Sequence, residues 1–171
     1  MALRNIVKKG DECLNKKCRE VTDFNARLHK LLDDMRETLA GANGVGLAAP
    51  QVGVLRNVVL VMDTNNDDVM IELINPEIIE FDGEQEGPEG CLSIPGEWGI
   101  VKRPAYVKVR AQDRNGQWFE VDGEGMTARC FCHEIDHLSG VLFDTRAERM
   151  LTPEEIQEMY AEEDDEEYEE E

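Results

Sequence analysis

This 171-residue chain has little with which to cross or enter a membrane. Its longest purely aliphatic stretch is about VVLVM (58–62), far short of the roughly 20 residues a spanning helix needs. The first residues, MALRNIVKKG, lack the apolar core of a secretory leader. A soluble, cytoplasmic protein is the expectation. Cysteines number five (Cys13, Cys18, Cys91, Cys130, Cys132), an odd count without regular spacing, which excludes a disulfide framework and points to reduced thiols, packed or metal-bound. No internal repeat stands out. Neither G-x-G-x-x-G nor a Gly-Lys-Ser/Thr phosphate loop occurs, so GANGVG (41–46) reads as a glycine-rich helix stop.

Positive charge is also in short supply. Eighteen Lys and Arg face 38 Asp and Glu, a formal charge of −20. Residues 162–171, EEDDEEYEEE, hold nine of those acids and no base, which leaves −11 on residues 1–161. The expectation is one domain over 1–161 and a disordered acidic tail over 162–171. An acidic body excludes tight binding to nucleic acid or to an anionic membrane.

Leu28, Leu31, Leu32, Met35 and Leu39 repeat at helical spacing and predict an amphipathic helix over about 25–41. NVVLVM (57–62), MIELIN (70–75) and EIIEF (77–81) read as short strands. AYVKVRAQD alternates like a half-buried strand, and Asn115-Gly116 turns it into QWFEV as a hairpin. A helix from near Met126 or Thr127 carries His133 and His137 and stops before Gly140, and Thr152, Pro153 and Glu155 cap a last short helix. Segregated strands and helices without βαβ repeats give an α+β fold, with short antiparallel or mixed sheets around the histidine helix.

Against this scarcity of histidine, the stretch CHEIDHL (132–138) stands out. Residues i and i+4 share a helical face about 6 Å apart along the axis, so His133 and His137 can pinch one metal ion with Glu134 beside it. Cys130 lies too far down the axis to reach that ion, Cys132 points away, and His29 belongs to another helix. The third ligand is then Cys91 in EGCLSIP, or a downstream carboxylate among Glu154, Glu155 and Glu158. A downstream glutamate would make the chain a zincin-type metallopeptidase. A noncatalytic metal-binding protein is the other alternative, although it would need neither Glu134 nor Gln51.

Three stretches in order, GVGLAAPQVG (44–53), EGCLS (89–93) and HEIDH (133–137), make the sequence resemble the peptide deformylases over about residues 5–150. Two departures are Cys132, where glutamine is common, and GDECL (10–14), where proline is. The resemblance implies a metal held by Cys91, His133 and His137, Fe²⁺ natively, with Zn²⁺, Ni²⁺ or Co²⁺ also accommodated. It implies removal of formate from the N-formylmethionyl ends of new chains, with Glu134 moving the proton. The Gln51 side chain and the Leu92 backbone N–H would stabilise the formyl oxygen. It further implies that Val45, Met126 and Cys130 line a slot for methionine, that Gly46 and Glu89 lie near the peptide backbone, and that Asp136 pairs with Arg103. Work on nascent chains would bring transient proximity to the ribosome, whose RNA should repel the acidic tail.

Overall fold

The computed structural model describes the backbone of residues 2–169 and side chains up to residue 167. Helix α1 (Ala26–Ala42) begins where the Asn25 side chain accepts a hydrogen bond from the Leu28 N–H, and ends at Asn43 in the left-handed region. Strands β1 (Gly46–Ala48), β2 (Val58–Asp63) and β3 (Val69–Asp82) follow, then β4 (Gln85–Cys91) and β5 (Ile94–Arg103). The chain continues through β6 (Tyr106–Gln112), β7 (Trp118–Glu124), helix α2 (Gly125–Leu138), the short β8 (Arg149–Met150) and helix α3 (Pro153–Glu169). Antiparallel pairing orders β1-β2-β3-β6-β7 in one sheet and β4-β5-β8 in a second.

The unbroken apolar run of β2 has a simple cause: both its faces are covered. Val59 and Val61 join Ala128, Phe131 and Leu138 of α2 in one core, while Val58 and Leu60 join Leu28, Leu32, Met35 and Leu39 of α1 in another. Each such fully buried aliphatic side chain contributes about 1.5–3 kcal/mol. The site helix α2 is thereby clamped on the five-stranded sheet. A third core of Leu14, Ile94, Val101, Leu142 and Phe143 fixes the smaller sheet beside it.

Three elements differ from the sequence reading. MIELIN and EIIEF form one strand, β3, because Asn75 takes a positive φ of 52° and the register shifts between Ile74 and Glu77. Pro76 is tolerated at that bulge, and the Asn75 side chain accepts from the Val21 N–H and donates to the Val21 carbonyl. The stretch around EGCLSIP, read as irregular, is the β4–β5 hairpin, with Cys91 opposite Ile94 across a turn at Leu92-Ser93. Its strand QEGPEGC has poor intrinsic β preference and gains its form from the partner strand. The last helix is not short: α3 runs through the acidic stretch to Glu169, where disorder was the expectation. Glu, Met, Ala and Gln are strong helix formers, and Thr152 and Glu155 cap its start reciprocally, each side chain meeting the other's N–H at 3.2 Å. Residues 170–171 lie outside the described residues.

Candidate metal centre

Helix α2 presents His133 and His137 one turn apart, and the end of β4 presents Cys91 to the same point. Nε2 of His137 lies 3.3 Å from Nε2 of His133 and 3.5 Å from the Cys91 sulfur. The one donor atom from each residue lies within 4.8 Å of the other two, and among the described residues this is the group of three that gathers. Three soft, electron-rich donors at such range repel one another unless a cation or proton sits among them. The set fits a borderline divalent ion.

The donors are oriented from behind. Nδ1 of His133 meets Oε2 of Glu89 at 2.8 Å, which fixes the proton on Nδ1 and leaves Nε2 free to coordinate. Glu89 is in turn gripped by Arg103, at 3.1 and 2.7 Å, and by Arg129 at 3.0 Å. Arg103 also donates to Asp136 at 2.7 Å, the ion pair the resemblance implies. Burial pushes the Glu89 carboxyl up, but His133 and Arg103 overcome it and hold the group at about 2. Phe143 stacks on His133 with ring centres 6.1 Å apart. His137 Nδ1 is buried and meets no protein partner among the described residues.

Glu134 follows His133 and reaches to 3.7 Å from its Nε2. Burial drives its carboxyl up to about 7, which poises it to exchange protons near neutral pH. Its side chain lies against Gly46, where an added Cβ would sit 2.8 Å from Glu134 Cγ and Oε1. Gly46 is therefore glycine to make room for Glu134. His137 is lowered, by burial and by the charge of His133.

Gln51 is buried, and its orientation is fixed: the Ala48 N–H donates to Oε1 at 2.9 Å. Its Nε2 then points at the Ser93 hydroxyl (3.1 Å) and the Cys91 sulfur (3.5 Å). Leu92 occupies the hairpin tip, its carbonyl accepting from Lys8 at 3.3 Å.

A cleft of about 580 Å³ opens over these groups, and Val45, Gly46, Glu89, Met126 and Cys130 all line it. Val45 and Met126 are exposed there, an apolar surface free to receive a side chain. Glu89 lines the cleft while its carboxylate oxygens are taken by two arginines and His133. Cys130 and Cys132 are kept as thiols by burial, at about 12 and about 11. Of the carboxylates considered as third ligands, Glu155 is held by Arg149 at 2.9 Å on α3, away from the histidines. His29 meets the Arg114 carbonyl at 2.7 Å and takes no part.

Ser93, Arg129 and Phe143 were missed in the sequence. Ser93 was findable, since it stands two residues after Cys91 within EGCLS. Arg129 and Phe143 carry no local signal and are recruited by the fold.

The sequence pattern of the family described as polypeptide deformylase matches residues 3–152. A peptide deformylase of Lachnoclostridium phytofermentans is 55% identical over 143 residues, covering 84% of this chain and 88% of that protein. The crystal structure of a peptide deformylase from Legionella pneumophila superposes with a TM-score of 0.81 at 40% identity, covering 98% of this chain and 96% of the other. A Met-Ala-Ser-bound class I type b peptide deformylase from Acinetobacter baumannii superposes at 0.80 and 35% identity, covering 85% and 98%. Fold, sequence and the gathered thiol and imidazoles agree, and this chain belongs to the polypeptide deformylase family.

Proposed function

We propose that this chain hydrolyses the formyl group from N-formylmethionyl ends of newly made proteins, releasing formate and a free amine. The observation that carries the proposal is the convergence of Cys91, His133 and His137 with a buried, proton-poised Glu134 in a cleft long enough for a peptide. When bound, a divalent ion supplies Lewis acidity and a nucleophile at neutral pH; by resemblance that ion is Fe²⁺, and the donor set also suits Zn²⁺, Ni²⁺ or Co²⁺. No helix among the described residues is long and apolar enough to cross a membrane; by resemblance the work is on nascent chains in the cytoplasm, close to the ribosome.

The chain's own groups divide the remaining tasks. Glu134 takes the proton of the attacking water and delivers it to the departing amine nitrogen, which a carboxyl near pKa 7 can do in both directions. Gln51 Nε2 and the Leu92 N–H donate to the formyl oxygen as negative charge grows there. Gln51 suits this part because the Ala48 N–H holds its amide oxygen on the opposite side. Val45, Met126 and Cys130 hold the methionine side chain, while Gly46 leaves Glu134 its space. The tripeptide in the Acinetobacter baumannii structure supports a cleft that accommodates the residues after methionine.

The test is formate release from formyl-Met-Ala by Ni²⁺- or Fe²⁺-loaded protein. Turnover of the formyl peptide, with Met-Ala left uncleaved, is the expected result. Cleavage of internal peptide bonds would return the metallopeptidase reading.

A further inference from the structure

The family pattern ends at residue 152, but the cleft wall does not. Next to the ligand Cys91, Gly90 lies so close beneath Trp98 of β5 that an added Cβ would meet the indole ring at 2.9 Å. The Trp98 Nε1–H donates to the Tyr160 hydroxyl of α3 at 3.1 Å, and the rings meet edge-on with centres 6.3 Å apart. Both rings line the cleft, and Tyr160 keeps 46% of its surface open. An anchor for α3 need not be open in this way. The segment leading into that helix is already tied to the body by the Leu151 N–H on the Trp98 carbonyl, and the helix's first turn is held by Arg149 on Glu155.

Trp98 and Tyr160 line the same cleft as Cys91, so an extended peptide leaving the metal centre along that wall, at about 3.3 Å per residue, passes the aromatic pair after its first residues. On a helix, positions i+3 and i+4 share a face. Beside Tyr160 those positions are Glu163 and Asp164, both exposed, and Glu97 lines the cleft from β5. The nearby bases are engaged: Lys8 donates to the Leu92 carbonyl, Lys9 pairs with Asp144, and Arg129 is bound to Glu89.

We infer that Tyr160, held by Trp98, is a specificity-determining residue for the part of the formyl-peptide beyond its first methionine. Glu163 and Asp164 beside it bias that outer position toward basic side chains. The inference rests on the deformylase reading, and α3 becomes a working wall of the site.

The experiment measures kcat and KM for formyl-Met-Ala, formyl-Met-Ala-Lys and formyl-Met-Ala-Glu. It uses the Ni²⁺-loaded parent, Tyr160→Ala, Tyr160→Phe and a chain truncated after Ala161. Tyr160→Ala should raise KM for formyl-Met-Ala-Lys about two- to tenfold, the worth of one lost aromatic contact. Its kcat and all constants for formyl-Met-Ala should be unchanged, and Tyr160→Phe should stay near the parent. Truncation should reduce a preference of about two- to fivefold for Lys over Glu at low salt, a preference that salt should also weaken in the parent. Equal KM changes for the two peptide lengths, or none for either, would reduce Tyr160 to a structural tie. A Lys-to-Glu ratio unmoved by truncation would overturn the charge bias. If the parent releases no formate even from formyl-Met-Ala, the deformylase reading itself fails and the inference falls with it.

Discussion

Helices α2 and α3 are made by opposite means. α2 is rich in residues that favour helix only modestly: Thr127, Phe131, two cysteines and two histidines. It nevertheless has nearly every residue after its first turn covered, against the sheet on one side and the charged Glu89–Arg103 group on another. α3 is built of Glu, Ala, Met and Gln, begins with a reciprocal cap, and stands mostly in water. Packing can therefore hold a helix whose sequence was chosen for chemistry, whereas propensity and a cap must hold one whose sequence was chosen for charge. Changes in α2 should accordingly be severe and changes in α3 mild.

The largest effect belongs to the site itself. Glu134→Ala should keep the metal and lose formate release by about 10²–10⁴-fold, the usual worth of positioned proton transfer. Cys91→Ser should lose tight metal binding, while Cys130→Ser and Cys132→Ser retain it, as metal analysis after dialysis will read. A Cys91→Ser protein with full metal would break the assignment of ligands.

Core packing comes next. Phe131→Ala, at a fully buried position on α2, should cost about 3–5 kcal/mol in urea unfolding. Met159→Ala on α3 should cost under about 1 kcal/mol, since that side chain is only half-buried. Equal costs would erase the contrast between the two helices.

Acid should separate them as well. Glu89 is held at about 2 in the fold, below its ordinary value of 4.5. The stability it contributes is complete above pH 4.5 and drains away as pH falls toward 2. In metal-free protein, melting temperature should fall across that window, and Glu89→Gln should be less stable at neutral pH with a flatter acid limb. An unchanged slope would show that the charge relay behind His133 carries no stability.

The smallest effect is at the end of the chain. Truncation after Ala161 should leave the unfolding free energy and formyl-Met-Ala turnover within about 0.5 kcal/mol and twofold of the parent, since exposed surface contributes little. At low salt it should modestly strengthen ribosome binding, by removing charge of the same sign as RNA phosphate. Weaker ribosome binding after truncation would make the acidic stretch an attractive contact.

Periodicity and local chemistry were enough for much of this molecule. The leucine spacing of 28–39 marked α1, the alternation of Val107, Val109 and Ala111 marked β6, and the i, i+4 histidines with Glu134 marked a metal helix, because each signal is complete within one turn or one strand. The third ligand was not local. Residue chemistry alone left Cys91 competing with glutamates after residue 153, and only the β4–β5 hairpin, whose sequence has little strand preference of its own, carries that thiol to the histidines. The same holds for Glu89, whose carboxylate is gripped by Arg103 and Arg129, and for Tyr160, whose place in the cleft wall depends on Trp98 some sixty residues earlier. Sequence determines what a turn of helix or an alternating strand will do, since those contacts span a few residues. Which distant charges meet in the low dielectric of the interior, and which aromatic closes a cleft, is decided by the tertiary structure, because their partners are neighbours in space alone.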